Sequence, residues 1–360
     1  MKSGEPGPLV AANAVLQRAL AERAFPGAVV AAGRRGEPTR VLAGGRLTYT
    51  SDADPVTART LYDLASLTKV LATTTVAMRL YDSGRLDLDQ PACEWLPGLR
   101  AGAKARITVA HLLEHSSGMP GWLPLFREVS GWPAYVERIE QLDLTHAPGA
   151  QAEYSDLGFI LLGAILERVA GEPWERLVRE WILTPLGMSE TAYCPEPAWR
   201  PRVAPTELCG WRGRLLHGEV HDENAFAMGG VAPHAGLFGT AGDVARLAHL
   251  MLDGGVLDGR RLVRAESAAR FTRRTTMPGG TRALGWDTPS ATGYSTAGVR
   301  MSRRAFGHTG FTGTSLWIDP ERGVFVILLS NRIHPTRDND GIRWVRPALA
   351  DAVLSDLDRE

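Results

Sequence analysis

The chain has 360 residues, with 40 basic and 40 acidic side chains, a formal net charge of zero and 44% apolar content. That length is ample for a core in one large unit or two lobes, and the charge balance argues against a nucleic-acid or anionic-membrane partner. Three widely spaced cysteines, Cys93, Cys194 and Cys209, with no CxxC, argue against a disulfide framework or a zinc ribbon.

The opening MKSGEPGPLV lacks the apolar run of a secretory signal, and no stretch of eighteen apolar residues occurs, so a cytoplasmic protein is expected. Residues 8–24 predict an amphipathic helix ending before Pro26. GAVVAAG (27–33) and RVLAGG (40–45) predict two short strands joined by a turn. A helix is expected from about Ser66 to Asp82, stopped by Ser83-Gly84, and a short one over 108–115. Residues 156–170, DLGFILLGAILERVA, predict an apolar helix with Asp156 as N-cap and Gly171 as stop. TAGDVARLAHLML (240–252) carries the pattern of a capping box between Thr240 and Asp243. TSLWI (314–318) and VFVILLS (324–330) flank a DPERG turn, and a last helix begins near Gly341.

Strands thus sit at both chain ends with a helical block between them. The expected fold is α/β: an antiparallel sheet formed from both ends and flanked by terminal helices, with an inserted, mainly helical lobe. Residues 1–65 and 281–360 would form the sheet lobe and 66–280 the helical lobe, with the active site between them in one functional unit.

Within LYDLASLTKVL (61–71), Ser66 and Lys69 stand three apart, on one helix face. The chain holds only three lysines, Lys2, Lys69 and Lys104, against thirty-seven arginines. A serine hydroxyl needs a neighbouring base to become a nucleophile. A buried lysine can be that base, whereas arginine keeps its charge. A helix start opposes an ammonium by about 0.3–1 kcal/mol and offers a free backbone N–H to an oxyanion. Two other segments carry polar chemistry at junctions: Tyr154-Ser155-Asp156 before the apolar helix, and His308-Thr309-Gly310 within RAFGHTGFTG.

In the order SxxK, YxN-like, KTG-like, these segments resemble the serine β-lactamase-like family of class C β-lactamases, DD-peptidases and related esterases. The resemblance extends over nearly the whole chain and includes GRLDLDQPACEWLP, HLLEHSSGMP and PHAGLFGTAGDVA. It implies a cofactor-independent hydrolase that acylates Ser66, with Lys69 and Tyr154 moving the proton. The backbone N–H groups of Ser66 and Phe311 would hold the oxyanion, and Thr309 and Gly310 would line the substrate strand. The implied partner is a small ester, amide or peptide.

Two departures bear on substrate. Asp156 replaces the family's asparagine; a carboxylate only accepts, so a donor to a β-lactam side chain is lost. It also favours a charged Lys69, shifting proton transfer to Tyr154, whose phenolate the cation is expected to stabilise. His308 replaces the KTG lysine and weakens the permanent cation. Esters or D-amino-acid peptides are therefore expected over β-lactams, which would be hydrolysed weakly at most. A penicillin-binding sensor that deacylates poorly, or an acyltransferase, would use the same residues. An α/β-hydrolase is disfavoured because no complete GxSxG occurs.

His111-Leu-Leu-Glu114-His115 matches HxxEH, which on a helix could bind zinc; the alternative is that His111 packs and His115 caps the helix end. His217, His221, Asp222 and Glu223 form a polar cluster that could rim the cleft, although a solvated loop is the plainer reading. Trp122 and Trp132 are candidates for an apolar acyl wall or for core packing.

Overall fold

A computed structural model describes residues 7–277 and 280–359. Helix α1 (Val10–Ala21) leads into strands β1 (Gly27–Arg34) and β2 (Arg40–Gly45). Helix α2 (Thr75–Asp82) continues a π-helical segment, Lys69–Thr74; α3 (Val109–Leu113), α4 (Asp156–Ala170) and α5 (Ala241–Leu252) follow. Strands β3 (Phe306–Thr309), β4 (Ser315–Asp319) and β5 (Val324–Ser330) and helix α6 (Ile342–Leu357) complete the chain. No helix among the described residues is long and apolar enough to cross a membrane.

The five strands pair antiparallel in the order β3-β4-β5-β1-β2. In the centre Val30 faces Leu328 and Val29 faces Leu329. Because side chains alternate along a strand, each strand feeds two cores. Ala28, Val30, Ala32, Val326 and Leu328 join the core beneath α1 and α6, whereas Val29, Ala31, Ile327 and Leu329 join the larger core on the other face of the sheet. Both faces are covered, which explains the unbroken apolar run in β5. Helix α5, from the middle of the chain, packs on β1, β4 and β5.

The terminal helices lie against each other. Leu9 offers α1 no side-chain cap. Instead the Asp356 carboxylate of α6 accepts the N–H groups of Ala11 and Ala12, both at 2.9 Å, filling part of the unmet donor set at a helix start.

Two expected caps are corrected. Helix α4 is capped by Ser155, whose Oγ accepts the Gly158 N–H at 2.9 Å, and not by Asp156, which lies in the first turn. The one-residue shift frees the Asp156 carboxylate for another partner. Thr240 caps α5 by accepting the Asp243 N–H, but the Asp243 carboxylate turns to the Glu190 N–H and the Thr191 hydroxyl instead of closing a box. Gly171 ends α4 as expected, at φ +71°.

Candidate active site

Ser66 sits in the turn immediately before the helical run that carries Lys69. Strand Tyr62–Asp63 leads into this turn and pairs with Leu237–Gly239. Ala65 has φ +47°, in the left-handed region that a side chain makes costly. Surrounding bonds impose it. Asp63 Oδ1 accepts the Ala65 N–H at 2.8 Å, while Thr312 and Thr314 donate hydroxyls to the carbonyls of Asp63 and Leu64. Asp63 Oδ2 also accepts the His221 N–H at 2.7 Å, tying a distant loop to the turn. Burial pushes the Asp63 carboxyl up, against these two donors. Asp63 was not singled out from sequence, because its partners are distant along the chain.

Gly310 is required by close approach. A Cβ there would meet Thr314 Oγ1 at 2.1 Å and the Leu64 carbonyl at 2.6 Å. The strand-end segment 308–311 can therefore lie directly against the Ser66 turn. The backbone N–H groups of Ser66 and Phe311 have no acceptor among the described residues.

Lys69 is fully buried. Its Nζ lies 3.0 Å from Ser66 Oγ, 3.0 Å from the His234 carbonyl and 2.7 Å from Asp156 Oδ1. The Tyr154 hydroxyl stands beside both Lys69 and Ser66, close enough for each to shift its titration. Serine, lysine, tyrosine and aspartate thus form one network, with Asp156 inside it. Burial disfavours the Lys69 charge, but Asp156 and the Tyr154 oxygen outweigh it, and the pKa lies above the ordinary lysine value. For Tyr154, burial raises the pKa and Asp156 adds to it, outweighing the lowering by Lys69. Lys69 thus lowers the Tyr154 pKa, as expected of a neighbouring cation, but burial and Asp156 outweigh it, and both groups favour their protonated forms.

The Tyr154 ring is held from several sides. His115 lies 4.5 Å away between centroids and His308 5.9 Å, and the Lys69 ammonium and Arg282 guanidinium stand 5.0 and 5.3 Å from its centroid. His115 accepts the Ser155 N–H at its Nδ1 and stacks on Phe159, which fixes the tyrosine's segment. It lies beyond the end of α3 with φ +59°, so it does not share a helix face with His111. His111 instead closes the N-terminal capping box of α3 with Thr108. The helical premise of the zinc reading does not hold here.

His308 is buried, 4% exposed. Its Nδ1 lies 2.9 Å from the Thr309 carbonyl, so that nitrogen carries the proton. Burial, with Lys69 and Arg282 nearby, keeps its pKa well below the ordinary histidine value. Nε2 is then a bare acceptor, and it has no partner among the described residues.

Two cavities meet at Ser66, Tyr154 and Phe311. One, of about 350 Å³, is also lined by Trp122, Asp156, His221, Asp222, Glu223 and Arg337. The other, of about 310 Å³, is lined by His308, Thr309, Gly310, Arg282, Arg332 and Arg346. Asp156, His308, Thr309, Gly310 and Phe311 are all brought to the cleft. The cluster His221-Asp222-Glu223 also lies there and not in a solvated loop, because Asp63 and Arg337 anchor it. His217 does not line either cavity; its Nε2 bonds the carbonyls of Arg200 and Val203. Trp122 is a wall residue, whereas Trp132 donates its Nε1–H to Glu167 at 2.7 Å.

The three arginines carry no local sequence signal, since each comes from a different segment. Arg346, on α6, donates to the carbonyls of Gly310 and Thr314. Burial pushes its pKa down to about 10, still charged at neutral pH. Arg332 donates Nε–H to the Phe311 carbonyl at 2.9 Å.

Residues 12–350 match the family model described as Beta-lactamase. A protein of Escherichia coli (strain K12) named "Putative D-alanyl-D-alanine carboxypeptidase" is 36% identical over 306 residues, 77% of this chain and 70% of its own. Among solved structures, a penicillin-binding protein homolog from Caulobacter crescentus matches with TM-score 0.77 and 24% identity, over 98% of this chain and 99% of its own. EstCE1, a hydrolase with promiscuous acyltransferase activity, matches with TM-score 0.77 and 24% identity, over 96% and 98%.

Proposed function

The chain belongs to the beta-lactamase family, and from that premise we propose that it is a serine hydrolase working through an acyl-enzyme on Ser66, with D-amino-acid peptides or esters as substrates. The observation that carries this reading is the single network joining Ser66 Oγ, Lys69 Nζ, Tyr154 Oη and Asp156 Oδ1.

Because Lys69 and Tyr154 are both protonated at rest, the reactive form has lost one proton from the pair. The shared proton makes this a property of the pair. Tyr154 then takes the Ser66 proton while Oγ bonds to the carbonyl carbon. Lys69 stays an ammonium, held by Asp156, and orients both oxygens. The unengaged N–H groups of Ser66 and Phe311 receive the developing oxyanion. Tyr154 returns the proton to the leaving group as its bond to carbon breaks. Water then attacks the acyl-enzyme by the same route in reverse.

The cavity lined by Arg282, Arg332 and Arg346 favours a leaving group with a carboxylate, as at the C-terminus of a peptide. These arginines supply the charge that His308 does not. The D-alanyl-D-alanine carboxypeptidase naming of the E. coli relative agrees with this chemistry. Asp156 offers no N–H to a β-lactam side chain, so β-lactam turnover should be slow.

Ser66→Ala tests the reading. Turnover of p-nitrophenyl acetate should fall by about 10³-fold or more with the melting temperature retained. An intact-mass adduct on the wild type, absent from the variant, should identify the acyl-enzyme. Unchanged ester hydrolysis in Ser66→Ala would overturn the assignment.

A further inference from the structure

The two halves of the cleft carry opposite charge, and we infer that it selects an unblocked, dipeptide-length zwitterion, with its ammonium on the acyl side and its carboxylate on the leaving side. This rests on the acyl-enzyme reading of Ser66 and narrows its substrate class.

The acyl-side wall is anionic in excess. Asp156, Asp222 and Glu223 line it, with Glu207 directly behind, 2.9 Å from His221 and 2.6 Å from Arg337. The permanent cations among them are Lys69, Arg337 and Arg212; Arg337 is divided between Glu207 and Glu223, and Arg212 spends its N–H groups on the carbonyls of Val220, His221 and Asp222. The remaining partners are imidazoles, His221 on Glu207 and His234 on Asp222. Asp156, Asp222 and Glu223 each commit one oxygen, Oδ1, Oδ1 and Oε1, to those partners. Their second oxygens have no partner among the described residues. Four carboxylates facing three fixed cations in a half-buried wall leave room for one more positive charge.

The opposite half is the reverse. Arg282, Arg332 and Arg346 line it with one carboxylate, Asp287, whose nearest approach to Arg282 is 3.8 Å. His308 also lines this half, and its buried Nε2 has no partner among the described residues.

A peptide spanning Ser66 has only one orientation that satisfies both halves. The acyl portion carries the N-terminus and the departing portion the C-terminus, so ammonium meets the carboxylates and carboxylate meets the arginines. Both cavities are at the low end of small-molecule pocket size, which suits one residue on each side. In the reaction Ser66 Oγ bonds to the carbonyl carbon and the C–N bond breaks. The amine leaves with the electron pair and takes the proton Tyr154 received from Ser66. Water hydrolyses the ester, so one dipeptide and one water give two amino acids.

The test compares D-alanyl-D-alanine, N-acetyl-D-alanyl-D-alanine and D-alanyl-D-alaninamide on the full chain, with p-nitrophenyl acetate as an uncharged reference. The unblocked dipeptide should show kcat/KM about tenfold or more above each blocked form, the scale of one lost charge-assisted bond. Glu223→Gln should narrow the gap to the acetylated peptide and leave the gap to the amide. If the acetylated peptide is cleaved as well as the free one, or neither is cleaved, while Ser66-dependent ester turnover persists, this inference falls alone. If ester turnover does not depend on Ser66, the acyl-enzyme reading falls and takes the inference with it. The wild-type comparison decides even if Glu223→Gln fails to fold.

Discussion

Asp156 Oδ1 lies 2.7 Å from Lys69 Nζ, inside the same network as Ser66 and Tyr154. This contact determines which protons the resting site holds, because the carboxylate raises the pKa of both Lys69 and Tyr154.

Asp156→Asn should therefore move the alkaline rise of activity to lower pH. The sign follows directly: removing the negative charge lowers both pKa values, so the singly deprotonated pair forms at lower pH. A pH profile of kcat/KM for a p-nitrophenyl ester measures this. The amide also restores a donor, so β-lactam acylation should quicken, read as the rate of adduct formation by mass.

Lys69→Arg keeps the charge but not the shape. Lys69 is fully buried, with its ammonium over the rings of Tyr154 and Phe159. A guanidinium there must displace packed neighbours, at about 1–3 kcal/mol, and cannot approach Ser66, Tyr154, Asp156 and the His234 carbonyl in the same way. Ester turnover should fall by about 10²-fold or more. Thermal melting separates the packing loss from the catalytic one.

Gly310→Ala should damage the nucleophile turn without touching a charged group. The added methyl would meet backbone at Leu64 and the Thr314 hydroxyl, and neither can swing away, because they bond each other at 3.0 Å. A stability loss of about 1–3 kcal/mol is expected, with a larger fall in kcat than in 1/KM, since the Ser66 N–H would be misplaced.

The Glu207–Arg337–Glu223 group links the cleft to acid stability. Burial opposes the Glu207 charge, but His221 and Arg337 hold its carboxyl well below the usual 4.5. A depressed carboxyl stabilises the fold above its unfolded pKa and loses that contribution as pH falls through the folded value. Glu207→Gln should flatten the decline in melting temperature below about pH 4.5. Arg337→Ala should cost about 1–3 kcal/mol, because two poorly solvated carboxylates lose their shared cation. Circular dichroism melts from pH 3 to 7 measure both, the pH range being about that of ordinary carboxyl titration.

What was legible in the sequence follows the range of the interactions. Ser66 and Lys69 share a helix face, and the segments at 154–156 and 308–311 keep recognisable order, so the central network could be assembled from the chain alone. Short apolar runs bounded by turn residues gave the sheet from both ends. Asp156 was taken for a cap because it directly follows Ser155, the true cap, and propensity does not distinguish the two. Asp63, Arg282, Arg332 and Arg346 were missed because each acts on residues far away in sequence. The loop at 221–223 looked solvated for the same reason: its anchors are Asp63 and Arg337, more than a hundred residues away on either side.

The central strand β1 lies between β2, formed at once, and β5, whose Leu328 faces Val30. During vectorial synthesis β1 must wait for nearly the whole chain before its second neighbour exists. At ordinary elongation rates that delay is on the order of tens of seconds. Throughout it, an apolar edge stays open to other nascent chains or to a holdase. Production of this protein should therefore depend on what shields that edge on the ribosome as much as on the stability of the finished fold.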